Sequence, residues 1–300
     1  MPGRPRAVAV VAATLAILLV APAPAQAWGF AAHRAIADAV IALLPAGLRP
    51  LFEQYRVAFV ERSIDPDTWR DAGFAEEAKH HYLDLDWEGF GPYPHAELPR
   101  DYEAAVETFG LARIEEMGTV PWRVEAFAAE LREAFGDFDR GPEYGRFPAV
   151  LFAAWITHYV SDAHVPFHAV INFDGQLTSQ NGIHARFESA MFERYRGELA
   201  IAPAALPPVR NPRDFIFDRI VEGTQLVPAI LASDLQAIGT RDLYDDAYYA
   251  AFFKANRGVL ERRVNESIAG VAAMIAGAWE AAGRPAVPTD PPAPAQRRRR

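Results

Sequence analysis

The chain has 300 residues, 51% of them hydrophobic, enough to bury one large core, and it has no cysteine, which excludes disulfides and thiolate metal sites. Basic residues number 30 and acidic residues 39, a formal charge of -9, and residues 297–300 alone hold four of the positive charges. The acidic body therefore lacks the electrostatic footprint of tight nucleic-acid binding, while its carboxylates remain available as ligands for hard or borderline cations.

The first element is a secretory leader, residues 1–27. Arg4 and Arg6 form its basic start, residues 7–20 an apolar run too short to span a bilayer, and Ala25-Gln26-Ala27 a cleavage site. A secreted or periplasmic protein is expected, with Trp28 as its new N-terminus. The unperturbed pKa of a free α-amine is near ~8, so a metal can displace its proton. The amine and the carbonyl oxygen of Trp28 can then close a five-membered chelate.

Beyond the leader the chain reads as helical. Ile36, Val40, Ile41 and Leu44 recur at helical spacing and predict a helix over 31–44. Further helices are expected over 101–117, 124–135, 148–163, 183–195, 212–235 and 246–281, with Asn211 and Asp245 as caps of the last two. Residues 65–99 and 170–181 read as functional loops. No repeat and no alternating strand pattern occurs, so the expectation is an all-α domain over 28–282. A Pro-, Ala- and Arg-rich tail over 283–300 has the composition of a disordered segment.

The helix over 148–163 ends in "THYVSDAHVPFH". His158 and Asp162 stand at i and i+4, so both project from one face, and His168 follows beyond the break at Pro166. In "NGIHARFE", His184 and Glu188 repeat the i, i+4 spacing. Earlier, "DPDTWRDAGFAEEAKHHYLDLD" supplies Asp65, Asp67, His80, His81, Asp84 and Asp86. Imidazole with carboxylate and no thiolate suits zinc. A single His-x-x-x-Asp pair is more often a surface hydrogen bond, and a lone buried histidine more often a satisfied core residue. Counting His33, however, the residues named include six of the eight histidines, each within a few residues of an acid. That argues against chance.

In these motifs, from Trp28 to Glu188, the chain resembles the zinc-dependent phospholipase C and S1/P1 nuclease superfamily. The resemblance implies a multi-helix fold with a trinuclear zinc cleft. Asp67, His81, His158 and Asp162 would hold one ion, and His168, His184 and Glu188 a second. The Trp28 amine and carbonyl, His33 and the other oxygen of Asp162 would hold the third. Asp65 competes with Asp67, and His80 with His81. Asp67 is preferred because Arg70 follows it by three residues, and His81 because an aromatic, Tyr82, follows it. His95 and His164 stay outside the ligand set, His164 reading as a hydrogen-bonded supporting residue.

The implied chemistry is phosphoester hydrolysis by a zinc-activated water, with Asp67 orienting or deprotonating that water. Glu188 in place of an aspartate and the absence of cysteine lean towards a phospholipase C-like phosphodiesterase with peripheral membrane-surface contact. Thr68 and Ala78 stand where the choline-boxing aromatics of the best-known lipases would be. The short step from Trp28 to His33 looks more like the nuclease branch. Tyr82 and Asp84 match substrate-binding positions in both, so a single-strand nuclease is the alternative. A non-catalytic zinc-stabilised binding protein is the third reading, disfavoured because the His168, His184 and Glu188 set leaves a coordination position open. No obligate protein partner is evident.

Overall fold

Residues 29–140 and 142–287 are described by a computed structural model, and every regular element among them is helical. The expected leader, Trp28 and residues 288–300 lie outside the described residues.

Helix α1 (Phe30–Leu43) buries Ile36, Ala37, Val40 and Ile41 along one face, and His33 lies on that same face. A ligand-type side chain is thus carried into the core by ordinary amphipathic packing. Two short helices not foreseen from the sequence follow, α2 (Arg49–Gln54) and α3 (Arg56–Arg62). A third, α4 (Asp65–Asp71), occupies the start of the stretch expected to be a loop. Pro66 suits its first turn by its fixed φ, and the two acids of that turn and Arg70 in the last match the helix dipole. The rest of 72–99 is irregular apart from 3-10 turns at Ala75–His80 and Glu88–Phe90.

The single helix expected over 101–117 is two, α5 (Tyr102–Phe109) and α6 (Leu111–Met117), because Gly110 takes a φ of 84° and turns the chain between them. Helices α7 (Val120–Gly136) and α8 (Pro142–Asp162) begin earlier than expected, and Pro148 lies inside α8. The segment after the irregular stretch is α9 (Ile183–Ala185), a π-turn at Arg186–Ala190, and α10 (Met191–Tyr195). The helix expected over 212–235 is also two, α11 (Pro212–Thr224) and α12 (Val227–Ile238), with Pro228 in the first turn of the second. Helix α13 (Asp246–Ala281) runs 36 residues, as its periodicity predicts. Asn211 caps α11 by accepting from the Asp214 N–H at 3.1 Å, and Asp245 caps α13 by accepting from that of Tyr248 at 2.8 Å. Residues 283–287 turn back on α13, where the Trp279 indole donates to the Pro285 carbonyl at 3.0 Å.

Helix α8 is the centre, packed against α1, α3, α7 and α13. From Ile156 to its end it is buried all round, and Thr157 and Ser161 satisfy their hydroxyls on carbonyls one turn back. His158 and Asp162 face His33 of α1 and, through His158, Asp67 of α4. Among the described residues no helix is long and apolar enough to cross a membrane.

Candidate metal centre

Three buried groups of side chains bring metal-ligating atoms within 4.8 Å of one another: His33, His158 and Asp162; Asp67, His81 and His158; and His168, His184 and Glu188. His158 belongs to the first two, and Asp162 touches both. Its Oδ1 stands 3.4 Å from His33 Nε2, and its Oδ2 is 2.9 Å from His81 Nδ1 and 3.3 Å from His158 Nε2. Asp67 Oδ1 lies 3.8 Å from both His81 Nδ1 and His158 Nε2. In the third group Glu188 Oε2 is 3.1 Å from His184 Nε2 and 3.8 Å from His168 Nε2.

Each ligand arrives by a local device. The i, i+4 spacing stacks His158 over Asp162 on α8, and α1 lays the His33 ring on that of His158, centroids 4.0 Å apart. Past the end of α8, Pro166 opens a 3-10 turn, Pro166–Ala169, that carries His168. Residues 83 and 85 then run beside this turn, the Leu83 N–H donating to the His168 carbonyl at 2.9 Å and that of Leu85 to Ala169 at 3.0 Å. His168 Nδ1 donates to the His81 carbonyl at 2.6 Å, which ties the two segments at the ligands themselves. Glu188 lies within the π-turn, which begins two residues after His184; such turns recur at functional sites. Gly29, next to Trp28, lies so close to Ser189, next to Glu188, that a Cβ there would sit 2.9 Å from the Ser189 hydroxyl.

The two open choices between neighbours have a geometric resolution. Asp65 accepts from the Trp155 indole at 3.0 Å, and His80 Nδ1 bonds the Thr119 hydroxyl at 2.7 Å. Both are held away from the cluster, whereas Asp67 and His81 stand in it. His164 donates from Nδ1 to the Val160 carbonyl at 2.7 Å and joins no group; His95 bonds the Gly91 carbonyl at 3.1 Å.

The donor set fits a cation. Both ring nitrogens of His33 and His184, Nε2 of His81 and His168, both oxygens of Asp67 and Oδ1 of Asp162 are buried with no hydrogen-bond partner. Arg70 stands 2.9 Å from Asp67 Oδ1 as an ion pair outside hydrogen-bonding direction. Burial pushes His33 down to about 3 and His81, His168 and His184 to about 4, so their imidazoles are neutral at pH 7 with lone pairs free for a metal. Burial pushes the Asp67 carboxyl up to about 6, against the pull of His158. Burial also favours the protonated form of Asp162, but positive charge on His158, which Asp162 and Asp67 favour against the burial of that ring, outweighs it and holds this carboxyl well below the usual range. A cation would act in the same sense.

The second and third groups border a cavity of about 400 Å³, lined by His81, His168 and His184 with Arg70, Tyr82, Asp84, Phe167 and Phe173. Tyr82 and Asp84 therefore lie on its wall, as does Ala78. Burial, with Asp86 nearby, pushes the Asp84 carboxyl up to about 8. Sequence reasoning used Arg70 only to choose between aspartates and passed over Phe173 and Gln176. The available signal for Arg70 was its i+3 spacing from Asp67 on α4.

No protein-family model and no curated protein matches the chain. Geometry alone defines the class: an all-α protein whose buried His, Asp and Glu side chains form three groups that can hold metal ions.

Proposed function

We propose that this chain is a secreted or periplasmic zinc-dependent phosphodiesterase of the phospholipase C and S1/P1 nuclease type, with phospholipase C-like substrates. The observation that carries the reading is the convergence of His33, Asp67, His81 and His158 on Asp162, beside the His168, His184 and Glu188 group and a cavity that also holds Arg70. The nitrogen and oxygen donors suit zinc, and the third group offers three ligands among the described residues. When bound, such ions supply Lewis acidity towards a phosphoryl oxygen and make a water more acidic near neutral pH.

The chain's own groups do the rest. Arg70, on the cavity wall, offers its guanidinium to the phosphate charge. Asp67 turns Oδ1 towards Arg70 and the histidines, leaving Oδ2 to orient the attacking water and take its proton. Water adds to phosphorus, the ester P–O bond breaks, and the leaving oxygen is protonated. Tyr82 and Phe173 present ring surface to the group beyond the phosphate. Phe173 and Leu177, 43% and 69% exposed on the loop beside the cavity, suit approach to a lipid surface.

One observation favours the nuclease instead. A carboxyl with its pKa near 8 is largely protonated at pH 7 and presents an O–H donor beside a C=O acceptor. That pairing fits a base edge better than a quaternary ammonium. The test is a side-by-side assay of zinc-loaded protein beginning at Trp28 on phosphatidylcholine, other phospholipids and single-stranded nucleic acid. Faster release of phosphorylated head group than of nucleotide is expected, and the reverse order would move the chain to the nuclease branch.

A further inference from the structure

Metal-binding histidines usually donate their second ring nitrogen to an acceptor that fixes the tautomer and orients the ring. Here His158 and His168 do so through Nδ1, onto the carbonyls of Ser63 at 2.9 Å and His81 at 2.6 Å. Each therefore presents Nε2 to the cluster. His81 is turned the other way round. Its Nδ1 faces inwards, 2.9 Å from Asp162 Oδ2 and 3.1 Å from His158 Nε2, and its Nε2 points away from the cluster, buried and without a hydrogen bond.

What Nε2 faces is a carboxylate. Glu77, four residues earlier, has Oε1 3.8 Å from His81 Nε2 and is itself buried. It is held firmly: Oε1 accepts from the Tyr159 hydroxyl and Oε2 from Arg123 at 3.1 Å. Arg123 in turn lies over the Phe127 ring, 4.4 Å from its centroid. A carboxylate has about four acceptor sites, and these two donors leave room for a third. A relative shift of about 1 Å brings Nε2 within hydrogen-bonding distance.

We propose that Glu77 is a positioning residue for the metal centre: it accepts the Nε2–H of His81, commits this ring to the tautomer with a lone pair on Nδ1, and makes Nδ1 a stronger ligand. This rests on the metal reading above but not on the identity of the substrate. Glu77 is not part of the wall of the cavity beside the metal groups. Its effect travels through His81, while Tyr159 and Arg123 hold it in place from α8 and α7.

The experiment is a stepwise zinc titration by calorimetry of the metal-stripped full chain, wild type against Glu77→Gln, with melting temperatures recorded without metal. In the variant, one zinc step is expected to weaken about 10–100-fold while the others stay unchanged. A role confined to holding Arg123 and Tyr159 would instead lower the metal-free melting temperature and weaken every step together, and that outcome overturns the proposal. So do unchanged titrations in a folded variant, which leave the zinc reading intact. A wild type that binds no zinc removes both. If Glu77→Gln fails to fold, a crystal structure of zinc-loaded wild type decides. His81 Nδ1 on the metal with Nε2 about 3 Å from Glu77 upholds the proposal, and Nε2 on the metal overturns it.

Discussion

Two buried polar clusters lie within a few residues of each other along the π-turn, and they are built on opposite principles. In the first, Arg186 and Asp234 pair at 3.1 Å, Gln180 donates to Asp234 at 2.7 Å, Tyr248 donates to Asp234, and Arg186 also reaches the carbonyls of Gln180 and Asn181. None of these side-chain atoms is buried without a partner. In the second, around Asp162, the imidazoles of His33 and His184 and the carboxylate of Asp67 have none. An unsatisfied buried polar atom costs about 1–3 kcal/mol, so several together would consume most of a domain's usual ~5–15 kcal/mol. The first cluster is complete within the chain. The second is of the kind that cations complete, and only the second adjoins the cavity.

Acid should separate the two most strongly. The folded-state values of His33, His81, His168 and His184, about 3 to 4, lie below the unfolded value of 6.5, so only the unfolded chain takes up protons in between. Their contribution to metal-free protein is complete above pH 6.5, and its loss as pH falls towards 4, several kcal/mol to order of magnitude, outweighs the opposite trend of Asp67 and Asp84. Denaturant titrations across that range are the measurement. A flat profile would mean that these rings are not buried neutral.

The next effect belongs to the satisfied cluster. Asp234→Ala leaves Arg186 buried and unpaired and should cost about 3–5 kcal/mol, with or without zinc. Denaturant midpoints in zinc and in chelator test this. A loss seen only in zinc would show that the two clusters are one unit.

The smallest effect is also the one that changes sign. Burial raises Asp67 to about 6, so its folded form favours the proton and its contribution to stability falls as pH rises from 3.8 through 6. At pH 7 Asp67→Asn should therefore stabilise metal-free protein by about 1–3 kcal/mol, the scale of an uncompensated buried polar group, while weakening zinc binding. A variant destabilised in chelator would mean that the Arg70 pair already compensates the carboxylate.

What the sequence made legible follows from the range of the interactions. Helices at 31–44 and 246–281 and the caps Asn211 and Asp245 are local patterns, and they lie within a residue or two of the observed elements. The pairs His158 with Asp162 and His184 with Glu188 share a face by spacing alone. The break at Gly110 depends on one backbone angle, and α4 on charges that look like loop composition; neither leaves a periodic trace. Glu77 was hidden for a different reason. In "AEEAKHH" it reads as a solvated acid, and only the fold brings Tyr159 and Arg123 onto it.

The contrast between the two clusters turns on whether cations complete the second. Elemental analysis of the protein beginning at Trp28, dialysed against trace zinc and freed of loose metal, is the most direct measurement. More than one zinc per chain is expected, approaching three, with occupancy falling in Asp162→Asn and unchanged in Asp234→Ala. A chain that carries no zinc and retains full phosphodiesterase activity would contradict it.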